Sequence, residues 1–201
     1  MKKIILASAS PRRKEILSNI DADFEVIASK FDERDYIEKQ IALRGNISPQ
    51  MQTMMLAEGK AKDVFSRLDK NDNFVVIGVD TSVVVDNTIL GKPKDNKEAL
   101  YMLSLLSGRC HSVISGFSVI GNNGKIITNF EETSVWVRDV SKTEAENYVN
   151  SEYVLDKAGA YAIQGKASLF IEKIEGSYFN VVGLPIYKLA KALNQFDIYL
   201  V

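Results

Sequence analysis

A continuous apolar run in the middle of the chain constrains the fold more than any other segment. Residues 74–79 read Phe-Val-Val-Ile-Gly-Val and carry no polar side chain. A strand covered by helices on both faces has this composition, whereas a strand with one wet face alternates apolar and polar residues. Because the run ends in Asp80-Thr81, we predict an interior strand of an α/β sheet with two polar residues at its carboxyl end.

Helical and strand-like patterns alternate on the N-terminal side of this run. Residues 4–7 are a short apolar strand, and Ser10-Pro11 then has the form of a helix N-cap followed by proline in the first turn. Ser48-Pro49 begins another helix in the same way, and residues 32–50 are read as a loop with some helix. The apolar face predicted for the second helix is Met51, Met54, Met55, Ala61, Val64, Phe65 and Leu68.

The C-terminal side of the run adds hairpins. A hairpin is predicted over 83–90, long strands over 111–120 and 126–137, and a strand over 169–174. Helices are predicted over 99–106, after the Ser141–Glu144 capping box, and over 185–193. Since hairpins accompany the helix–strand alternation, we expect a mixed α/β sheet with flanking helices rather than a purely parallel one.

Composition and charge exclude several classes of protein. The 201 residues are 46% hydrophobic, which fits one globular domain or a two-lobed one. A net charge of −1 disfavours a broad nucleic-acid or membrane-surface face. The single Cys110 excludes an intramolecular disulfide, and the single His111 has no nucleophile partner for a triad. With no signal peptide and no apolar run of membrane-spanning length, a cytoplasmic protein is expected.

The first strand and helix form a candidate phosphate site. Ser8, Ala9 and Ser10 are small enough to let backbone approach a ligand, and Arg12 and Arg13 follow at the mouth of the helix. Helix N-termini and guanidinium groups both favour phosphate oxygens. The spacing is not a Walker motif, so an ordinary strand–helix turn with two solvated arginines remains an alternative at this point.

Asp80 is the best single catalytic candidate. A carboxylate at the carboxyl end of an α/β strand can orient a divalent cation, deprotonate water or cap the next element. Further charged candidates are Lys92 in Gly91-Lys92-Pro93, Lys60 late in a predicted helix, and Glu33 on the irregular stretch. Taken alone, Lys60 and Glu33 fit solvated surface positions better than site positions.

The segment 156–165 carries the second group of candidate residues. Its sequence, Asp-Lys-Ala-Gly-Ala-Tyr-Ala-Ile-Gln-Gly, combines small residues and glycines with two polar side chains, Lys157 and Gln164. A glutamine amide both donates and accepts hydrogen bonds, as recognition of a pyrimidine edge with a carbonyl and an N–H requires. Lys157 and Gln164 are therefore candidates for base binding, as groups able to read a hydrogen-bonding edge.

Taken together, six motifs resemble the Maf family of nucleoside triphosphate pyrophosphatases. They occur in family order over nearly the whole chain, and the Lys-Ala-Gly-Ala-Tyr and Gln-Gly pattern resembles the branch that acts on dTTP and UTP. The matching pieces are Ser8–Arg13, Gly78–Thr81, Gly91–Pro93, Leu106–Gly108 with His111 and Val113, Asp156–Tyr161 with Gln164-Gly165, and Gly183–Pro185.

The resemblance implies a fold, a reaction and partners. The fold is a mixed twisted α/β sheet with flanking helices, shared with inosine triphosphatases, in which residues 1–201 form one domain of two lobes around a cleft. The reaction is metal-dependent hydrolysis of a nucleoside triphosphate to monophosphate and pyrophosphate, with Mg²⁺ or Mn²⁺ as the expected cation. The substrate is the expected partner, many members are homodimers, and neither nucleic acid nor membrane is expected.

The resemblance also assigns roles to individual residues. Asp80 matches the proton acceptor, and Glu33 with Asp80 is expected to hold the metal. The specificity positions are Arg12, Thr81 and Gln164, and the phosphate-binding positions are Ser8, Arg13, Lys60 and Lys92. One departure bears on the site, because Gly59 replaces an acidic residue that often precedes the lysine. We expect a looser helix there.

Two other functions remain open from the sequence. The chain could cleave purine or 7-methylguanosine triphosphates, although Lys157 and Gln164 argue against that substrate class. It could also be a nucleotide-binding regulator of cell division or septum formation with little turnover, although Asp80 and the nearby cations favour catalysis.

Overall fold

A seven-stranded mixed sheet with flanking helices organises the chain. The computed structural model describes residues 2–69 and 71–200. The strands follow the order β2-β1-β3-β5-β6-β7, with β4 paired to β3. In chain order the elements are β1 (Lys3–Leu6), α1 (Pro11–Ser18), β2 (Phe24–Val26), α2 (Glu33–Arg44), α3 (Pro49–Ser66), β3 (Phe74–Val85), β4 (Thr88–Leu90), α4 (Asn96–Leu106), β5 (Cys110–Gly121), β6 (Ile126–Val137), α5 (Lys142–Ser151), β7 (Ile171–Glu175), α6 (Tyr178–Val182) and α7 (Ile186–Asn194).

The sheet combines both kinds of strand pairing. Strand β1 pairs in parallel with β2 and β3, whereas β4 is antiparallel to β3 and β7 is antiparallel to β6. The predicted mixed α/β fold is therefore confirmed. None of the helices formed by the described residues is both long enough and apolar enough to cross a membrane.

The chain divides into two compact units, each with its own apolar core. The first unit comprises Met1–Asp80, Ser115–Glu131 and Gly183–Val201, and the second comprises Thr81–Ile114 and Glu132–Val182. In the first unit, Ala61 and Val64 of α3 pack on Phe74 and Val76 of β3. In the second, residues of α4 and α5 such as Leu103 and Val149 share a core with Val135 and Phe170. The expectation of a single two-lobed domain remains a prediction.

Glycine allows α3 to lie directly on β3 in the first unit. A Cβ at Gly78 would lie 2.1 Å from the carbonyl oxygen of Ala57 and 2.8 Å from the Cβ of Ala61. Such distances are impossible for any side chain, so the strand needs glycine here. The close approach places the turn of α3 that contains Lys60 beside the part of β3 that contains Asp80.

Strand β3 differs from the prediction in one respect that matters for the site. We expected the strand to end at Asp80, but it continues to Val85 because the β-branched residues after Ser82 pair with β4. Its parallel neighbour β1 ends at Leu6, opposite Ile77. Asp80 therefore lies within a strand, just beyond the point where the parallel pairing stops.

Two predictions for the region before β3 were right only in part. The stretch read as a loop with some helix is mostly helical, because it contains the twelve-residue helix α2, which buries none of its residues and so lacks an apolar stripe. Its supports are the N-cap Asp32 and i,i+4 ion pairs such as that of Arg34 with Glu38. The predicted buried face of α3 is confirmed at Ala61 and Val64, but Met51 is 44% exposed. Its buried residues are Thr53, Leu56, Ala57, Gly59, Ala61 and Val64.

Candidate functional site

A lysine joins two carboxylates at the centre of the first unit's candidate site. The Nζ of Lys60 lies 2.6 Å from Oδ1 of Asp80 and 3.0 Å from Oε1 of Glu33. The side chains of Lys60 and Asp80 are only 13% and 12% exposed, whereas that of Glu33 is 49% exposed. The carboxylates of Asp80 and Glu33 therefore already converge on one positive charge.

The fold explains why these three side chains meet. Lys60 comes from α3 and Asp80 from β3, two elements held together at Gly78. Glu33 is the first residue of α2, not part of an irregular stretch as predicted. Because α2 begins at this residue, its carboxylate also lies where the unpaired N–H groups of a helix favour negative charge.

Arg13 and Ser8 form a hydrogen-bonded pair beside this group. The Nε of Arg13 donates to the carbonyl of Gly183 at 2.9 Å, and its Nη1 donates to Oγ of Ser8 and to the carbonyl of Val79, each at 2.9 Å. The Oγ of Ser8 also accepts from the N–H of Ser10 at 3.3 Å. Arg13 thus ties the loop after β1 to β3 and to the segment before α7.

Burial and neighbouring charge act on Arg13 in opposite directions. Removal from water lowers the pKa of Arg13 to about 10, while the carboxylates of Asp80 and Glu33 act to raise it. The guanidinium is therefore cationic at neutral pH despite its burial. The guanidinium interacts electrostatically with both Asp80 and Glu33. It can therefore attract a polyanionic ligand in addition to stabilising the fold.

We expect Arg13→Lys to lower the free energy of unfolding by about 1–3 kcal/mol, since an ammonium cannot reproduce the guanidinium geometry toward Gly183, Val79 and Ser8. Urea denaturation followed by circular dichroism measures this loss. Arg34→Lys is the matched control, because Arg34 is exposed on α2 and pairs with Glu38. Equal urea midpoints for the two variants would contradict a structural contribution from Arg13.

The remaining residues predicted near the N-terminus occupy the expected elements. Arg12 lies half-buried in the first turn of α1, and Ser10 is the N-cap, although its side chain makes no capping hydrogen bond. Thr81 follows Asp80 in β3, is half-buried, and is the first residue of the second unit. The specificity role of Arg12 and Thr81 stays a prediction.

The second unit brings the segments of Lys92 and Lys157 together. The N–H of Gly159 donates to the carbonyl of Gly91 at 3.0 Å. Gly159 has a φ of +66° and packs on Val83, where a Cβ would lie 2.9 Å from Cγ1, so this turn requires glycine. Lys92 is exposed. Lys157 is instead engaged by its own loop, because its Nζ donates to Oδ1 of Asp156 at 2.8 Å and to the carbonyl of Tyr153.

Gln164 borders an open groove of the second unit. The groove has a volume of about 560 Å³ and runs along β7, with Ile163, Gln164 and Tyr178 among its lining residues. The side chain of Gln164 is half-buried. An amide in this setting can present both its donor and its acceptor to a ligand.

A buried hydrogen bond anchors the segment that carries Gln164. The Nε2 of His111, on β5, lies 2.7 Å from the hydroxyl of Tyr161. Burial lowers the pKa of His111 to about 4, so the imidazole is neutral near pH 7. The contact of His111 with Tyr161 therefore links β5 to the segment that carries Gln164.

The donor set of the first unit fits a divalent cation held jointly with a ligand. The described residues contain no group of three or more His, Cys, Asp or Glu that could hold a metal ion. Magnesium, however, commonly uses one or two carboxylates together with substrate phosphates and water. Asp80 and Glu33 are two such carboxylates that converge on the charge of Lys60.

The predicted site residues thus fall into two groups. The first unit brings together Ser8, Arg13, Glu33, Lys60 and Asp80. The second contains Thr81, Lys92, Lys157 and Gln164. Sequence reasoning gave no role to Asp63, which holds the chain before Glu33, and no sequence signal marked it. It also gave none to the carbonyl of Gly183, although Gly183–Pro185 was one of the matching motifs.

Sequence comparisons match the chain to a family model and to known relatives. The family model described as Maf-like protein matches residues 3–196. A protein of Alkaliphilus oremlandii is 50% identical over 202 residues, covering 100% of both chains, and one of Clostridium botulinum (strain Kyoto) is 48% identical over 201 residues with the same coverage. A protein of Clostridium acetobutylicum is 50% identical over 95% of this chain and 96% of its own. Each of the three is named dTTP/UTP pyrophosphatase.

Solved structures show a weaker likeness. A nucleoside-triphosphatase / dITP/XTP pyrophosphatase of Mycobacterium abscessus aligns with a TM-score of 0.41 at 13% identity, covering 69% of this chain and 75% of that chain. The Ham1 protein of Staphylococcus aureus aligns with a TM-score of 0.41 at 18% identity, covering 69% and 73%.

Proposed function

Because this chain belongs to the Maf family, we propose that it is a nucleoside triphosphate pyrophosphatase that hydrolyses dTTP and UTP to the monophosphate and pyrophosphate. The relatives that carry the name dTTP/UTP pyrophosphatase match it over the full chain at about half identity. The observation that carries the proposal is the contact of Lys60 with Asp80 and Glu33 next to the Ser8–Arg13 pair. Together they combine carboxylates able to hold a metal with cations able to hold phosphates.

Asp80 is proposed as the proton acceptor for the attacking water. Its Oδ1 is held by Lys60, which fixes the orientation of the carboxylate. The other oxygen, Oδ2, is proposed to accept the hydrogen bond from the attacking water. General-base catalysis by a positioned carboxylate contributes about 10²- to 10⁴-fold to a rate.

Glu33 and Asp80 are proposed to hold a divalent cation, Mg²⁺ or Mn²⁺, together with the triphosphate. The bound cation offsets charge on the phosphate oxygens. Hard carboxylate oxygens match these metals in ligand type, and the exposure of Glu33 gives the metal access from solvent.

The cationic side chains are proposed to bind the phosphates. Hydrolysis moves negative charge onto the departing pyrophosphate, and preorganised cations stabilise that charge. We assign this role to Arg12, Arg13, Lys60 and Lys92. The hydroxyl of Ser8 adds a donor, because its oxygen accepts from Arg13 and Ser10 while no described residue accepts its proton.

Gln164 is proposed to recognise the pyrimidine base, with Lys157 supporting its loop.

Gln164→Glu replaces the donating amide by an acceptor-only carboxylate, so we expect kcat/KM for dTTP and UTP to fall about 30-fold or more. The measurement is kcat/KM for dTTP, UTP, dCTP and dGTP, with the melting temperature as the check on folding. Gln40→Glu is the control, because the Gln40 side chain on α2 accepts from Arg44, a bond that a carboxylate can also accept. Equal losses for all four nucleotides would show that another residue reads the base.

One assay tests the proposed reaction. The protein is incubated with dTTP and Mg²⁺ or Mn²⁺, and monophosphate, pyrophosphate and orthophosphate are quantified. We expect equal amounts of monophosphate and pyrophosphate. Orthophosphate instead of pyrophosphate would show that a different bond is cut, preference for purine triphosphates would favour the first alternative, and tight binding without turnover would favour a nucleotide-binding regulator.

A further inference from the structure

The chain before α2 is fastened to α3 by hydrogen bonds to one carboxylate. The Oδ2 of Asp63 accepts from the hydroxyl of Ser29 and from the backbone N–H of Lys30, each at 2.9 Å. The same oxygen accepts from Nη2 of Arg67 at 3.0 Å. Partial burial acts to raise the pKa of Asp63, but the hydrogen bonds from Lys30 and Ser29, together with the charge and hydrogen bond of Arg67, outweigh it and the pKa is lowered. Asp63 is therefore ionised at neutral pH and holds this segment.

A ring seated on a glycine makes the second attachment. A Cβ at Gly59 would lie 2.3 Å from Cζ and 2.5 Å from Cε1 of Phe31. The ring thus occupies the place that any side chain at position 59 would take. Gly59 has ordinary helical backbone angles, so its conformational freedom is not needed there. The expectation that glycine loosens the helix misses this packing against Phe31.

Phe31 lies two residues before the start of α2. One residue, Asp32, separates Phe31 from Glu33, and Asp32 caps the helix by accepting from the N–H of Asp35 at 3.0 Å. With alanine at position 59, the ring would have to withdraw by about 1 Å to reach ordinary contact, which begins at 3.4 Å. Any part of that withdrawal taken up by the backbone of Phe31 would carry Glu33, which lies 3.0 Å from Lys60, with it.

We propose that Gly59, Phe31 and Asp63 are positioning residues that hold Glu33 against Lys60 and Asp80. The inference rests on the proposed function, because Glu33 is there assigned to the metal. It adds residues that act only through Glu33 and do not touch the substrate.

The test is Gly59→Ala, with two readouts. We expect half-saturation by Mn²⁺ in dTTP hydrolysis to rise about tenfold, with a smaller change in kcat, because displacements near 1 Å at a reacting centre have effects of this size or larger. Independently of activity, hydrogen–deuterium exchange of the peptide containing Lys30 and Phe31 should become about tenfold faster. Lys62→Ala, on α3 with an exposed side chain paired to Glu58, is the control.

Double variants separate positioning from a general effect on α3. If Gly59 acts through the ring and through Glu33, Gly59→Ala should have less than about a twofold further effect on Mn²⁺ half-saturation in Phe31→Ala or Glu33→Gln backgrounds. A full effect in either background would overturn the inference.

The two proposals can fail separately. A wild-type protein that cleaves no triphosphate would overturn the proposed function, while the exchange comparison would still test the attachment. Unchanged exchange in Gly59→Ala, with normal wild-type turnover of dTTP, would overturn the inference and leave the function standing.

Discussion

Asp80→Asn should lower kcat for dTTP by at least about 100-fold, the contribution expected of a positioned general base. Asparagine keeps the shape of the side chain and can still accept from Lys60, but its amide is too weak a base to take a proton from water. It also removes one of the two carboxylates that converge on Lys60. Initial rates of pyrophosphate release at saturating dTTP and Mg²⁺ measure the effect.

The control for this variant lies directly after the same strand. Asp86→Asn changes the residue immediately after β3, where Asp86 is 73% exposed and pairs with Arg109. Its φ of +49° is one that asparagine tolerates well. We expect kcat within about twofold of wild type for Asp86→Asn, because surface ion pairs contribute little. Near-normal turnover in Asp80→Asn, with both proteins folded, would remove Asp80 from the chemistry.

Much of the sheet could be predicted because its strands carry strong local signals. Strands β5 and β6 were predicted within one residue of their observed bounds, since each is long and the glycines of 121–124 separate them. The capping box at Ser141 likewise marked the start of α5 and is present with both hydrogen bonds. Where chain-local chemistry determines an element, the sequence is sufficient.

Helix α2 shows where local signals fail. It buries no side chain, so no apolar periodicity was available, and its N-cap and its i,i+4 ion pairs are local supports without an apolar pattern. The predicted burial of the methionines in α3 failed for a related reason. Helix α3 packs on the sheet through the face that closely approaches Gly78 and Gly116. Such an approach requires small residues, and it depends on tertiary structure rather than on local sequence.

The candidate site shows the same division. Residue types and order were enough to select Asp80, Lys60 and Glu33, but the sequence assigned Lys60 to phosphate and the carboxylates to metal. Their direct contact depends on how α2 and α3 pack, which no spacing in the chain encodes. The ion pairs of Lys60 with Asp80 and Glu33 could therefore not be predicted from the sequence. They lead to a prediction about metal binding.

We expect Lys60→Met to change catalysis and metal binding in opposite directions. Turnover of dTTP should fall by about 100-fold or more, because removal of one preorganised group that stabilises developing charge costs about 10²- to 10³-fold. Binding of Mn²⁺ without nucleotide should become about five- to tenfold tighter, because the metal no longer competes with an ammonium 2.6 Å from Asp80 and 3.0 Å from Glu33. Titration calorimetry measures the metal, and pyrophosphate release measures turnover.

Stability supplies a third readout for the same variant. Without a cation, two neighbouring carboxylates repel, so the melting temperature of Lys60→Met should fall and Mn²⁺ should restore it by binding the folded state. Lys62→Met is the matched control, since Lys62 lies on the same helix and pairs with Glu58 at an exposed position. If Lys60→Met bound Mn²⁺ no more tightly than Lys62→Met, the ammonium and the metal would not share the carboxylates. In the wild-type protein, a divalent ion must displace Lys60 from the two carboxylates or share them with it. The oxygens of the triphosphate offer the displaced ammonium new partners. Metal occupancy should therefore depend strongly on the triphosphate.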